Sequence, residues 1–292
     1  MKNTITIFFV LLLLISGCAQ DNKKDYVVTI KTSYGDMIAI LYDETPKHKA
    51  NFIKLAKEHY FDSMLFHRVI QNFMIQGGDP DSKKVQPGGQ LGNGGPGYTI
   101  EAEFVPKFFH EKGALSAARQ SDQVNPLKAS SGSQFYIVQG TVISPAEVES
   151  LRLDQMQLMT GLRKMFDDPA NKPLLDSLNQ LYYSGDMPAY QKRLTELAPR
   201  VEKATGLSIV KNVSEEKIKA YTTIGGAPHL DDQYTVFGKV IKGLDVLDKI
   251  ASVQKDAKDR PLEDVRMTVT VTELSRKKIT KEYGYLYPVA KK

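Results

Sequence analysis

The chain has 292 residues, 41% hydrophobic and 25% charged, the composition of a globular protein with one large domain or two small ones. Net charge is +5, with acidic and basic residues mixed along the chain and no Lys/Arg block of the kind that tracks phosphates, so nucleic-acid binding is unsupported. A single cysteine excludes an intramolecular disulfide.

In chain order, the first segment is a leader. MKN is a short positive lead, and ITIFFVLLLLI after it is too short for a stable bilayer anchor, which needs about 20 residues. It has the form of the apolar region of an export signal. The sole cysteine, Cys18, follows Ile-Ser-Gly directly, an arrangement that resembles a bacterial lipoprotein box: residues 1–18 form the signal, with Cys18 lipidated. Residues 19–25 are polar and are expected to be a tether. Ala19, rather than Asp, resembles outer-membrane sorting. The expected location is the bacterial cell envelope, with the membrane reached through the lipid.

The body opens with strands. YVVTIKT (26–32) alternates, Tyr34-Gly35-Asp36 turns, and MIAILY (37–42) continues in extended pattern. Thr45 as N-cap and Pro46 at the first position start a helix whose buried stripe is Phe52, Ile53, Leu55 and Ala56. FHRVIQNFMIQGGD (66–79) is unusual, since an ordinary buried strand would not carry an Arg, a His and two Gln. Residues 79–97 are rich in Gly and Pro and form a long surface loop. Strand patterns return at YTIEAEF (98–104), GALSAA (113–118), SQFYIVQ (133–139), QYTVFGKVI (233–241) and VRMTVTVTEL (265–274). Many short strands with few helices favour a closed barrel over a parallel sheet.

One block departs from that pattern. Residues 141–221 are predicted helical, starting from a capping box at Ser144-Pro145-Ala146-Glu147. Val148, Leu151, Leu158, Met159, Leu162, Met165 and Phe166 recur at helical spacing, and Pro173 and Pro188 restart shorter helices. The block is an inserted helical subdomain with its own core; a partner-docking groove is the minority reading. The C-terminal tail is 275–292; its end, EYGYLYPVAKK (282–292), is aromatic-rich and is expected to pack back on the barrel.

FHRVIQNFMIQGGD, GALSAAR (113–119), SGSQFYI (131–137) and HLDDQYTVFGKV (229–240) together resemble the cyclophilin family of peptidyl-prolyl isomerases, in the family's order. The resemblance covers residues 26–140 and 222–274, apart from the insertion and a longer loop at 120–130. It implies a mainly β fold: a closed eight-stranded antiparallel barrel capped by two helices.

It also implies a chemistry that accounts for the odd strand. Rotation about an X-Pro bond meets a barrier of about 18–20 kcal/mol from amide resonance, and uncatalysed exchange takes tens to hundreds of seconds. A catalyst need only favour the twisted amide, with a donor aimed at the prolyl group and an apolar slot for the ring. No nucleophile, metal or cofactor is required. By resemblance, Arg68 is the catalytic donor, its guanidinium offering a rigid fork of N–H groups, and Gln76 hydrogen-bonds the substrate backbone. Phe73, Met74, Tyr136 and Leu230 match the proline pocket. Phe73 and Met74 are adjacent, so both line it only if the backbone bends, for which Gly77-Gly78 is the expected place. Ala118 and Arg119 match the segment that pairs with the peptide main chain. Many members carry Asn in place of Arg119, so a more basic rim is expected here. Gln134 is either a support or a substrate contact. His67 should point away from Arg68 and act as a structural hydrogen-bonding His. Gly92–Gly97 lies near the side pocket. Tyr234 stands where many members have His, and His229 where animal members often have Trp.

The implied function is isomerisation of X-Pro bonds in exported polypeptides, assisting folding in the envelope. The alternative is a non-catalytic module that binds proline segments, with a protein partner docked on the insertion.

Overall fold

The computed structural model describes residues 23–86 and 89–288. The expected export signal at residues 1–18, with Cys18 as its expected lipidation site, and the first part of the expected tether lie outside the described residues. Strands β1 (Lys24–Thr32), β2 (Gly35–Leu41), β3 (Met64–Ile70), β4 (Met74–Gly77), β5 (Thr99–Ile100), β6 (Ala114–Ala117), β7 (Ser130–Ser131), β8 (Phe135–Val138), β9 (Val236–Lys242) and β10 (Arg266–Ser275) follow one another along the chain. Helices α1 (Pro46–Lys57), α2 (Pro145–Leu151), α3 (Gln155–Phe166), α4 (Lys172–Tyr183), α5 (Met187–Thr205), α6 (Glu215–Thr223), α7 (Leu244–Ala251) and α8 (Arg276–Tyr283) complete the fold. Eight strands close a barrel in the order β1-β10-β3-β4-β8-β6-β9-β2, every neighbouring pair antiparallel, while β5 and β7 pair apart from it. This is the eight-stranded antiparallel barrel the sequence led us to expect.

The period of two along each strand decides what lies inside. Val28 and Ile30 of β1, Met37, Ala39 and Leu41 of β2, Ile75 of β4, and Phe135 and Ile137 of β8 share one interior core. Phe52, Leu55 and Ala56 of α1 and Val246, Leu247 and Ile250 of α7 close it at the two ends. Phe52, Phe61, Phe66 and Phe135 meet there mostly edge to face, so side chains fill this part of the interior. The intervening residues face outward. On the β4–β8–β6 side these are Met74, Tyr136, Val138 and Ala114, which form a second apolar cluster on the outer wall.

Three expectations need correction. The tether does not extend to residue 25: Lys24 and Asp25 belong to β1, and Asp25 is 5% exposed because Lys49 Nζ meets its carboxylate at 2.6 Å. Thr45 does not cap α1; its hydroxyl donates to the Tyr42 carbonyl. The open N–H groups of Lys47 and His48 instead donate to Glu103 at 3.1 and 3.0 Å, and Glu103 also bonds His48 Nδ1 at 2.7 Å. That duty explains the third correction: residues 98–104 form only the two-residue β5, since beyond it the chain turns its acidic side chains toward α1.

The insertion has two parts. Leu158, Leu162, Met165, Leu178, Leu194, Leu197 and Val201, from α3, α4 and α5, enclose a core of their own. Met159 falls off that stripe and is 43% exposed. Val148 belongs elsewhere, to a root cluster with Phe109, Ile143 and Tyr221 that joins α2 and α6 to the barrel. The capping box at the start of α2 is formed: Ser144 N–H donates to Glu147 Oε2 at 2.7 Å, and Glu147 N–H to Ser144 Oγ at 3.3 Å. The chain re-enters the barrel at Gly226, which bridges both Glu111 and Thr141. A Cβ there would lie 2.3 Å from the His110 carbonyl oxygen, so the approach admits only glycine. In the tail, α8, Tyr285 and Tyr287 cover Val27 and Ile40 on the outer face of β1 and β2.

Candidate active site

The odd strand is the start of the site. In regular alternation Arg68 would share a face with Phe66, which points into the barrel. The pairing of β3 with β4 slips between them: Phe66 faces Gly77, yet Arg68 faces Gln76. Two residues on β3 thus cover one step on β4, a bulge that turns Arg68 outward while Phe66 and Val69 both stay in the core. The row continues across the wall. Gln76 pairs with Tyr136 on β8, and Tyr136 with Ser116 on β6. Donor, amide and aromatic ring are therefore neighbours through strand register alone.

Phe73 reaches the same wall by a turn. It precedes β4, in a turn where Phe73 N–H donates to the Ile70 carbonyl at 3.1 Å and Asn72 adopts φ 64°. The bend that lets Phe73 and Met74 share the pocket is this turn and not Gly77-Gly78, where it was expected. Gln139 ties it down: its side-chain oxygen accepts from Asn72 N–H at 2.6 Å, and its backbone N–H donates to the Phe73 carbonyl at 2.9 Å.

Arg68, Phe73, Met74, Gln76, Ala118, Arg119, Tyr136, Leu230 and Tyr234 all line one open cleft of about 790 Å³. That size suits a short stretch of polypeptide. Its apolar floor is Met74, Tyr136 and Leu230, each less than a tenth exposed, with Phe73 at the edge against the His229 ring, 5.3 Å between centroids. Arg68 is exposed in the same cleft, and among the described residues its one side-chain hydrogen bond is a long 3.4 Å contact from Nη1 to Gln76 Oε1. The guanidinium is thus held at one point and has donors left over for a ligand. Gln134 is buried and lines the neighbouring cleft. It accepts from Gln76 Nε2 at 3.2 Å and donates to the Gly94 carbonyl at 2.8 Å, so it supports Gln76 and fixes the glycine-rich loop. Asp79 clamps the same loop, its Oδ2 accepting from Gly92 N–H at 2.5 Å and Gly94 N–H at 3.3 Å.

Arg119 does not make the rim more basic. Its side chain is 4% exposed, and it pairs with Asp122, donates from Nε to the Gln233 carbonyl at 2.8 Å, and lies over the Tyr234 ring at 4.5 Å. The charge is spent inside the wall, and Tyr234 serves as its platform.

His67 also departs from expectation. The bulge leaves it beside Arg68 in the cleft lining, 5% exposed, with neither ring nitrogen hydrogen-bonded. Burial disfavours its cation and pushes its pKa down to about 4. From about pH 4 to 6.5 the unfolded chain binds this proton and the folded chain does not. Stability should be full above pH 6.5 and fall as pH drops toward 4, by up to about 3 kcal/mol from this group. Urea unfolding at pH 7 and pH 4.5 checks this: the decline should be smaller in His67→Leu, and an unchanged decline would count against it.

The cleft is completed by Gly89, Gln90, Leu91 and Gly92 of the glycine-rich loop and by Asp256, Ala257, Lys258 and Arg260, and the sequence reading missed the second group. QKDAKDRPLED (254–264) carries only turn signals. What places it is backbone pairing, with Val69 N–H donating to the Asp259 carbonyl at 2.8 Å, and an Arg260–Gly89 contact.

Fold and cleft together define a barrel protein with an apolar core inside and an open cleft on its outer wall. Residues 27–153 and 203–272 match the family described as "Cyclophilin type peptidyl-prolyl cis-trans isomerase/CLD". A Staphylococcus saprophyticus protein named "Putative peptidyl-prolyl cis-trans isomerase" is 31% identical over 245 residues, covering 84% of this chain and 90% of its own. A Streptococcus pyogenes protein named "Putative bifunctional phosphatase/peptidyl-prolyl cis-trans isomerase" is 35% identical over 248 residues, 84% of this chain but 38% of that longer protein. A solved Cryptosporidium parvum cyclophilin type peptidyl-prolyl cis-trans isomerase aligns with 86% of this chain and 98% of its own, at 19% identity and TM-score 0.48. The chain belongs to the cyclophilin-type peptidyl-prolyl cis-trans isomerases. The unmatched stretch between the two matched segments, 154–202, lies inside the insertion and takes in α3, α4 and most of α5.

Proposed function

We propose that the chain isomerises X-Pro bonds of exported polypeptides from a lipid anchor in the bacterial envelope, with Arg68 as the catalytic donor. The observation that carries the catalytic assignment is the presence of an exposed Arg68 guanidinium, with N–H donors to spare, in one cleft with the apolar floor of Met74, Tyr136 and Leu230. The floor and Phe73 grip the prolyl ring. Gln76 and the backbone at Ala118 hold the flanking chain. The segment before proline turns, and as conjugation is lost the prolyl nitrogen gains basicity. A guanidinium N–H donated toward the prolyl group then favours the twisted amide over either planar isomer, which lowers the barrier without any bond breaking. Exchange NMR of an Ala-Pro peptide, with the full chain in mild detergent and its Arg68→Ala variant, tests this assignment.

The envelope assignment rests on the sequence of residues 1–18, an apolar run ending at Ile-Ser-Gly-Cys18. Slow X-Pro steps limit the folding of newly exported chains, so a tethered isomerase would meet its substrates where they emerge. In a bacterial host, Cys18→Ala should abolish incorporation of labelled palmitate and shift the protein out of the membrane fraction. Undiminished labelling of the variant would overturn the lipid anchor.

A further inference from the structure

The last helix of the insertion reaches the underside of the proline socket through an unbroken run of hydrogen bonds. Tyr221, fully buried on α6, donates its hydroxyl to Asp231 Oδ2 at 2.7 Å. Lys217, one turn earlier on α6, lies 2.6 Å from the same oxygen. The other carboxylate oxygen accepts from His110 N–H at 2.9 Å and faces His110 Nδ1 at 3.0 Å. His110 Nε2 in turn lies 2.9 Å from the Tyr136 hydroxyl. Every member is largely buried.

The direction of the bonds follows from what each group can do. A neutral imidazole whose Nδ1–H is taken by a carboxylate presents its Nε2 lone pair as an acceptor. The Tyr136 hydroxyl therefore donates to His110, away from the cleft. Two consequences reach the socket. The polar tip of Tyr136 is satisfied from below, so the ring offers the substrate an apolar face. The ring is also fixed in orientation: His110 stacks within 12° of its plane, and Tyr234 meets it edge-on at 5.8 Å. A floor already in place loses little freedom when the prolyl ring twists against it.

We propose that α6 of the insertion is part of the device that positions the proline socket. Tyr221 and Lys217 set Asp231, Asp231 sets His110, and His110 holds Tyr136; all four are positioning residues, and the insertion is thereby coupled to turnover. The proposal rests on the reading of Tyr136 as a wall of the proline site. Loss of peptide turnover in Arg68→Ala tests the reading of that site separately.

The test is a double-mutant cycle on kcat/KM for an Ala-Pro peptide, run with the full chain in detergent. Tyr221→Phe keeps the ring in the root cluster and removes only the hydroxyl that steadies Asp231. It should lower kcat/KM by about three- to tenfold in the parent background. In a Tyr136→Phe background, where the upper end of the run is already cut, the same substitution should cost less than about twofold. An equal loss in both backgrounds would mean general structural damage, and no loss in the parent would mean no coupling; either overturns the proposal. Lys217→Met, at the less buried end, repeats the cycle from the charged side of Asp231 and must give the same pattern; its ammonium also lies 5.7 Å over the Phe109 ring, a contact present in both backgrounds and so cancelled by the cycle.

Discussion

Replacing Arg68 with Ala should lower kcat/KM for an Ala-Pro peptide by about 10²- to 10³-fold and leave the barrel as stable as before. The magnitude is that of losing one well-placed donor to a developing charge, about 2.7–4 kcal/mol of transition-state stabilisation. The absence of a stability cost follows from the environment. Arg68 is exposed, and its one side-chain hydrogen bond among the described residues is the 3.4 Å contact with Gln76. Surface substitutions of that kind stay within about 0.5 kcal/mol. The chain therefore gains almost nothing in folding from a guanidinium that a bulge has turned out of the core, which is the pattern expected of a group kept for chemistry. Arg68→Lys sharpens the test. It preserves the charge but replaces a planar fork with a point donor on a flexible stem, so activity should fall between the parent and the Ala variant. Exchange NMR gives the rates and a thermal melt gives the control. A folded Ala variant with undiminished turnover would remove Arg68 from the mechanism.

The features of the site that are local in sequence were legible, and those made by register or by distant pairing were not. The polar residues of FHRVIQNFMIQGGD announced an exposed wall, and simple alternation puts Met74 and Gln76 on one face of β4 and Tyr136 and Val138 on one face of β8. The same alternation misplaced His67, because a bulge depends on how β3 pairs with β4, and neither strand alone encodes that slip. It also misplaced the bend beside Phe73, where Asn72 and not a glycine takes the positive φ. Arg119 looked like a surface charge because its partners Gln233 and Tyr234 lie more than a hundred residues away. Glu103 capping α1 and the loop at 254–264 were hidden for the same reason. The insertion's helices were visible from their stripe and proline starts, but its division into a distal core and a root was not. Val148 fits the helical spacing of the distal stripe and still packs on Phe109.

Asp231 is the strongest case of such distant pairing, and its loss should be the costliest single change to folding. One carboxylate receives the His110 backbone N–H, faces His110 Nδ1, accepts the Tyr221 hydroxyl and pairs with Lys217. Asp231→Ala leaves a buried cation, a buried hydroxyl and a buried backbone donor without their acceptor. Breaking one side of such a buried set costs about 3–5 kcal/mol, a large part of the 5–15 kcal/mol typical of a whole domain. The pH dependence has a fixed sign. Burial alone would raise the Asp231 pKa, but the hydrogen bond from His110 and the Lys217 ammonium outweigh it and hold the carboxyl below its ordinary value. A depressed carboxylate contributes stability that is present above its unfolded pKa, about 3.9, and is lost as pH falls through the lower folded value. The gap in urea midpoint between parent and Asp231→Ala should thus be widest near neutrality and narrow below about pH 4. Lys217→Met added to Asp231→Ala should recover part of the loss, because it removes the charge left unpaired. A gap that stays constant down to pH 3, or a double variant no more stable than the single, would mean that the carboxylate acts by shape and not by charge.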